Sequence, residues 1–346
     1  MVPAEPTPSL PEQFRHHFGH RQHLYGVLLD ALADDLDAGG VTARLCRGYE
    51  EAPRAAAVQL RLLAGIFRIV LRGDAPQLEQ FYPNLGGTAN PQDAWPLLQP
   101  VLEWHVGELH DALGRPPQTN EVGRSACLVI GLFEAVRRSG LRRIRLLEPG
   151  ASAGLNLNVD RYRFEGPGWS WGPPSSPLLL QAGAATARPE DLAIVDRRGC
   201  DLAPVDASIT DGGRYLTSFV WPFDLDRHQR LAAALTVSRE HPVAVDRASA
   251  ADWLHRQLAH RPAADVLTVV WQSITQQYWP AAESARVQRI VAAARSRMPL
   301  AHLSMEGVPP QQSGGGYDVA TQGPVIALDG TPIARSHHHG LPVVLM

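Results

Sequence analysis

The chain has no lysine: all 32 of its basic residues, in a length of 346, are arginine. That absence removes the P-loop lysine of nucleoside triphosphatases and any lysine Schiff base to pyridoxal phosphate or a carbonyl substrate. Cysteine is scarce as well. Cys46, Cys127 and Cys200 are far apart and odd in number, so they form neither a disulfide framework nor a zinc pattern, and a buried thiol is expected of each. No stretch approaches the roughly 20 apolar residues of a membrane span, and the opening Met1-Val-Pro-Ala-Glu-Pro-Thr-Pro8 lacks the apolar centre of a signal peptide. A cytoplasmic location without a membrane partner is the expectation. A basic excess is missing too: the formal charge is −3, which provides no field for nucleic acid. Gly-x-Gly-x-x-Gly does not occur, which argues against nicotinamide dinucleotides.

What is present divides the chain. The length suits about two domains. Residues 1–9 are rich in proline and read as disordered, and 10–140 read as a helical domain without strands. Leu24 to Leu36, Ala55 to Leu71 and Ala94 to Leu113 carry apolar residues at helical spacing, and Ser125 to Arg138 forms a long apolar helix behind a polar loop. In that loop Thr119 or Asn120 suits a helix cap, and Glu121 suits the first turn. His16, His20 and His23 share a helical spacing, yet no acid or cysteine joins them, so no metal site is expected.

Residues 141–346 read as an α/β domain. Strands are expected at Ile144 to Glu148, in a run that ends at Asp201, at Val243 to Val245, at Val266 to Trp271 and at Leu300 to Met305, with helices from Asp226, Ala248 and Ala281. That alternation means a mostly parallel sheet covered on both faces. Val325 to Arg335, with Asp329-Gly330 as its turn, is a hairpin signal, and Leu341 to Met346 reads as a last strand. Glycine, proline and tryptophan exclude a helix after Glu165, so 165–190 reads as an insertion.

The stretch Leu147-Glu-Pro-Gly-Ala-Ser-Ala-Gly-Leu-Asn156 is the focus. An apolar strand ends in an acid and meets two glycines, the form of a cofactor turn in α/β folds. Read as acid-x-Gly-x-x-x-Gly, it suits S-adenosylmethionine. Read as Gly-x-Ser-x-Gly, it makes Ser152 the nucleophile of an α/β-hydrolase, with His337, His338 and His339 downstream as partners. Ser152 is also a suitable helix cap. A binding protein without chemistry is a third class, because Gln272-Ser-Ile-Thr275 stands where a methyl-acceptor motif would follow the fourth strand.

Gln118-Thr-Asn-Glu-Val-Gly-Arg124, Leu147 to Leu157, Asp160-Arg-Tyr162, Arg198-Gly-Cys-Asp-Leu-Ala-Pro204, Val220-Trp-Pro222 and His339-Gly340 together resemble a bacterial family, mostly actinobacterial, catalogued as domain of unknown function 2332. The resemblance runs from about residue 10 to the end. It implies a fold similar to the class I S-adenosylmethionine-dependent methyltransferases: a seven-stranded Rossmann-like sheet with an antiparallel C-terminal hairpin, and a helical N-terminal domain over the cofactor edge. The expected cofactor is S-adenosylmethionine, held by Glu148, Gly150, Ser152, Ala153, Gly154, Asn156, Asp201, Asp246 and Gln272. Asn120, Glu121, Arg124 and Asp160 complete the pocket, and His339 is the candidate base. The acceptor would be a small molecule. The residues Gly307 to Gly316 form a candidate lid.

Overall fold

A computed structural model describes residues 8–18, 21–118, 120–183, 185–307 and 317–346. The expected disorder of the first residues, the position of His20, the cap at Thr119 and nearly all of the candidate lid lie outside these. The chain divides into two compact units, each with its own core.

The first unit comprises residues up to 119 together with Arg214–His228. It contains α1 (Leu10–Phe18), α2 (Leu24–Asp37), α3 (Val41–Leu45), α4 (Val58–Arg72), α5 (Pro76–Glu79), α6 (Trp95–Trp104) and α7 (Val106–Leu113). Helix α4 buries Leu62, Ile66, Phe67 and Ile69. Gly65 lets α7 come close, since a Cβ there would sit 2.9 Å from Leu109 Cδ2. The helix expected from Ala55 instead begins as a short 3-10 turn and restarts after Ala57, which is left-handed at φ 49°. The helix expected from Ala94 breaks at His105 (φ −110°, ψ 22°). Buried Leu98, Leu102, Leu109 and Leu113 keep the apolar rhythm across that break, so periodicity does not reveal it. His16 lies in α1, whereas His23 caps α2 by accepting the Gly26 N–H at 3.0 Å; they do not share a helix.

The second unit comprises 120–213 and 229–346. Helix α8 (Ser125–Ser139) groups here and not with the preceding helices, because it lies against the sheet: a Cβ on Gly131 would collide with the side chain of Leu303. The strands are β1 (Arg143–Pro149), β2 (Arg163–Gly166), β3 (Trp169–Trp171), β4 (Leu179–Gln181), β5 (Ala193–Asp201), β6 (Val245–Arg247), β7 (Val266–Ser273), β8 (Leu300–Glu306), β9 (Val325–Leu328), β10 (Thr331–Ser336) and β11 (Val343–Leu345). Among the described residues one sheet has eight strands in the order β11-β10-β9-β8-β7-β1-β5-β6, one more than expected. The pairs from β6 through β8 are parallel, and those from β8 to β11 are antiparallel.

Strand β7 is buried along its whole length, as a central strand covered on both faces must be. On one face Leu147 and Val270 meet Trp253, Leu254, Val287 and Val291. These come from the helices Ala250–Ala259 and Ala281–Arg295. The proposed insertion is the small sheet β3-β2-β4, in which Trp169 and Trp171 pack edge-on against Phe133. Among the described residues two α-helices escape the sequence reading: Thr210–Ser218, whose Thr-Asp-Gly-Gly start looks like a turn, and the single turn Val319–Gln322 ahead of the hairpin. No described helix is long and apolar enough to cross a membrane. The three cysteines are buried and free, and burial pushes each thiol up to about 12.

Candidate functional site

Strand order fixes where a site can form. After β1 the chain places β5 and β6 on one side and β7 and β8 on the other, so the carboxyl ends of β1 and β7 border a topological switch point. Because β10 is antiparallel to β9, and β9 to β8, β10 also ends at this edge. Glu148, Asp201, Gln272, Glu306 and the histidines after Ser336 therefore share one rim.

The turn after β1 is left-handed at Gly150, Ser152 and Gly154, with φ of 76°, 54° and 72°. Every N–H from residue 150 to 155 is bonded within the protein. Gly150 and Ala151 donate to Cys200 O at 2.8 and 2.9 Å, and Gly154 donates to Ala151 O at 2.7 Å. Ser152 donates to Asp201 Oδ2 at 2.9 Å. Asn120 Oδ1 accepts from Ala153 at 3.2 Å and from Leu155 at 3.1 Å. Asn120 is thus a clamp on the turn and not a helix cap. Its replacement by alanine leaves two donors without an acceptor, and urea denaturation should show a loss of about 2 kcal/mol that Asn120→Asp restores.

The two glycines have protein, not open space, beside them. A Cβ on Gly150 would sit 2.2 Å from Thr275 Oγ1, and one on Gly154 would sit 2.7 Å from Val243 Cγ2. They shape the turn rather than leaving room for a ligand at those points. Gly199 does the same for β5, where a Cβ would sit 2.6 Å from that of Ala151. The turn then enters a 3-10 helix, Leu155–Arg161, and Gly154, not Ser152, occupies its N-cap. A hydrolase elbow leads straight into an α-helix, so this geometry does not favour Ser152 as a nucleophile.

Beneath the turn lies a buried polar chain. Asn156 donates to Glu148 Oε1 at 3.2 Å and accepts from Ser125 Oγ at 2.8 Å. Glu148 Oε2 is buried without a hydrogen-bond partner. Burial pushes the Glu148 carboxyl up to about 8, against the pull of the Asn156 amide and the Arg124 guanidinium. Arg124 is itself buried and donates to His338 O at 3.1 Å and Ser273 O at 3.3 Å. Burial also raises Glu306, although Gln272 and the N–H groups of Gln276 and Thr275 donate to its Oε1. Gln272 Oε1 contacts His302 Nε2 at 3.0 Å.

The rim therefore unites Asn120, Arg124, Glu148, Ser152, Ala153, Gly154, Asn156, Asp201 and Gln272. Three expected members are committed elsewhere. Asp246 is held bidentately by Arg198 at 2.9 and 3.0 Å and by Trp253 Nε1 at 2.8 Å, and the Arg198 guanidinium lowers its pKa. Asp160 pairs with Arg197 at 2.6 and 2.7 Å. Glu121 accepts from Gly123 N at 3.1 Å and faces Arg230 at 3.8 Å. His339 belongs to a cluster with His337 and His338. Glu306, His302 and Ser125 were missed; the signal for Glu306 was an acid ending a strand at the same rim.

A cleft of about 310 Å³ opens beside the turn, lined by Ala153, Pro204 to Ser208, Ser238, Pro242, Val243 and Val245. That is within the range of small-ligand pockets. No curated protein and no solved structure matches the chain. The family described as "Uncharacterized protein conserved in bacteria (DUF2332)" matches residues 11–344, and the chain belongs to this family.

Proposed function

We propose that the chain binds S-adenosylmethionine beside the turn after β1 and acts as a methyltransferase on a small-molecule acceptor. The observation that carries this reading is the closed set of backbone donors from 150 to 155. A phosphate-bearing cofactor is normally cradled by such N–H groups. Here they are spent on Cys200, Asp201 and Asn120, and the rim is acidic. A nucleoside cofactor without phosphate, carrying a sulfonium and an ammonium, suits that chemistry better than a dinucleotide.

The order β6-β5-β1-β7-β8, third-second-first-fourth-fifth in the large sheet, also supports a Rossmann-like reading. The antiparallel addition of β9 directly against β8 departs from a sheet that ends in a single hairpin. The residues fit the group: the cleft is lined by apolar Ala153, Pro204, Val205, Ala207, Val243 and Val245, and Asp206 adds an acid to it. When bound, the cofactor supplies an activated methyl group. The protein's task is to align the acceptor and exclude water. His339 is the proposed base for an acceptor that carries a proton.

Calorimetric titration of the full chain with S-adenosylmethionine and S-adenosylhomocysteine tests this without knowledge of the acceptor. One-to-one binding of both is expected, weakened at least about tenfold by Ser208→Trp, which fills the cleft from a half-buried lining position. Absence of heat with either ligand, in a folded protein, would refute the proposal.

A further inference from the structure

The sequence leaves open whether His337, His338 and His339 bind a metal. The fold gathers them. Each offers one ring nitrogen, and the three nitrogens lie within 4.8 Å of one another. The ring centroids are 4.0 Å apart for His337 and His338, 4.0 Å for His338 and His339, and 5.1 Å for His337 and His339. Tetrahedral zinc with imidazole ligands needs nitrogens about 3.3 Å apart, so side-chain rotations that splay the two ring pairs now at 4.0 Å would bring the nitrogens together.

The backbone that carries the rings is fixed. His337 N donates to Pro342 O at 3.2 Å, and Gly340 N donates to His337 O at 2.7 Å. Arg124 grips the His338 carbonyl at 3.1 Å. Gly340, left-handed at φ 90°, passes so close to Gly123 and Arg124 that a Cβ would sit 2.3 Å from Arg124 N. Tyr317 adds an orienting partner: its hydroxyl accepts the His338 N–H at 2.9 Å and lies 3.2 Å from His338 Nδ1. Its ring stacks on His337 with centroids 5.2 Å apart. If Nδ1–H of His338 donates to that hydroxyl, Nε2 carries the lone pair that a metal takes, the usual second-partner arrangement of a ligating histidine.

We propose that His337, His338 and His339 form a binding site for a divalent transition metal of the zinc class, oriented by Tyr317. Three imidazoles without a carboxylate favour zinc, cobalt, nickel or copper over magnesium or calcium, which require oxygen. Neutral ligands leave the ion its full charge, and three of them leave a coordination position open, so the fourth ligand would be water or an anionic group. The site lies on the same rim as Glu148 and Gln272. It does not depend on binding of the cofactor, but a bound ion would occupy the His339 lone pair, so that water on the ion and not His339 would be the base.

The test uses the full chain without an affinity tag, stripped of metal by a chelator and titrated with Zn²⁺ alone. One equivalent is expected to bind, and Co²⁺ in its place should give the absorption bands of a four-coordinate site. His338→Ala and His339→Ala should each weaken Zn²⁺ binding more than about 100-fold, and Tyr317→Phe about tenfold. Thermal unfolding in chelator verifies that each variant is folded, and Zn²⁺ should raise the melting temperature most for the wild type, less for Tyr317→Phe and least for the two histidine variants. Failure of the folded wild type to bind, or persistence of binding in His338→Ala, would overturn the site. Binding by Tyr317→Phe equal to wild type would overturn it too, because a loose histidine run chelates without an orienting tyrosine.

Discussion

Glu148→Gln is expected to stabilise the protein by about 3 kcal/mol at pH 7 and to have no effect at pH 4. Folding takes this carboxyl out of water and pushes its pKa from 4.5 up to about 8. Below pH 4.5 the carboxyl is protonated in both the folded and unfolded chain. Between that value and about 8 the unfolded chain has lost a proton that the folded chain retains, so stability falls steadily as pH rises. At pH 7 the gap of about 2.5 units corresponds to roughly 3 kcal/mol. Glutamine keeps the shape and the oxygen that accepts from Asn156, and it has no charge to bury. Urea denaturation at pH 4, 7 and 8 checks this. Parallel stability curves for wild type and variant across that range would contradict the placement of Glu148.

Gly340→Ala should cost more than about 3 kcal/mol, through two effects that can be separated. A left-handed backbone costs a non-glycine residue about 1 kcal/mol. Close approach adds the rest: the new Cβ would sit 2.3 Å from Arg124 N and Gly123 C, both backbone atoms that cannot rotate away. Gly330→Ala is the control. Gly330 is also left-handed, at φ 81°, but has nothing within 4 Å of its Cβ position. Its substitution should cost about 1 kcal/mol, so a melting temperature much lower for Gly340→Ala is expected. Equal effects of the two variants would mean that the His339-Gly340 turn does not press on Arg124.

β1, β7 and β8 were legible because each is a short apolar run with a polar residue at its end, Glu148, Gln272 and Glu306; β5 carries Asp196, Arg197 and Arg198 within it and was legible only by the acid Asp201 that ends it. The Asp329-Gly330 turn was equally plain, with both residues at positive φ. What remained hidden depends on partners distant in sequence. Nothing in Thr119 to Val122 reveals that Asn120 accepts from Ala153 and Leu155, over thirty residues away. Asp246 has the position of a cofactor acid, and only the pairing of β5 with β6 brings Arg198 onto it. Three neighbouring histidines read as triad partners of Ser152 or as a base at His339, and only the structure shows Tyr317 and Arg124 holding them. The α8 helix belongs with the sheet for a similar reason: the contact of Gly131 with Leu303 joins residues that no local pattern connects.

The measurement that bears most directly on the account is a crystal structure of the full chain grown with saturating S-adenosylhomocysteine. Nucleoside density beside Ala153 and the turn Pro204 to Ser208 is the predicted result. Clear density for the ligand at another place on the protein, or an empty cleft under saturating ligand, would contradict it.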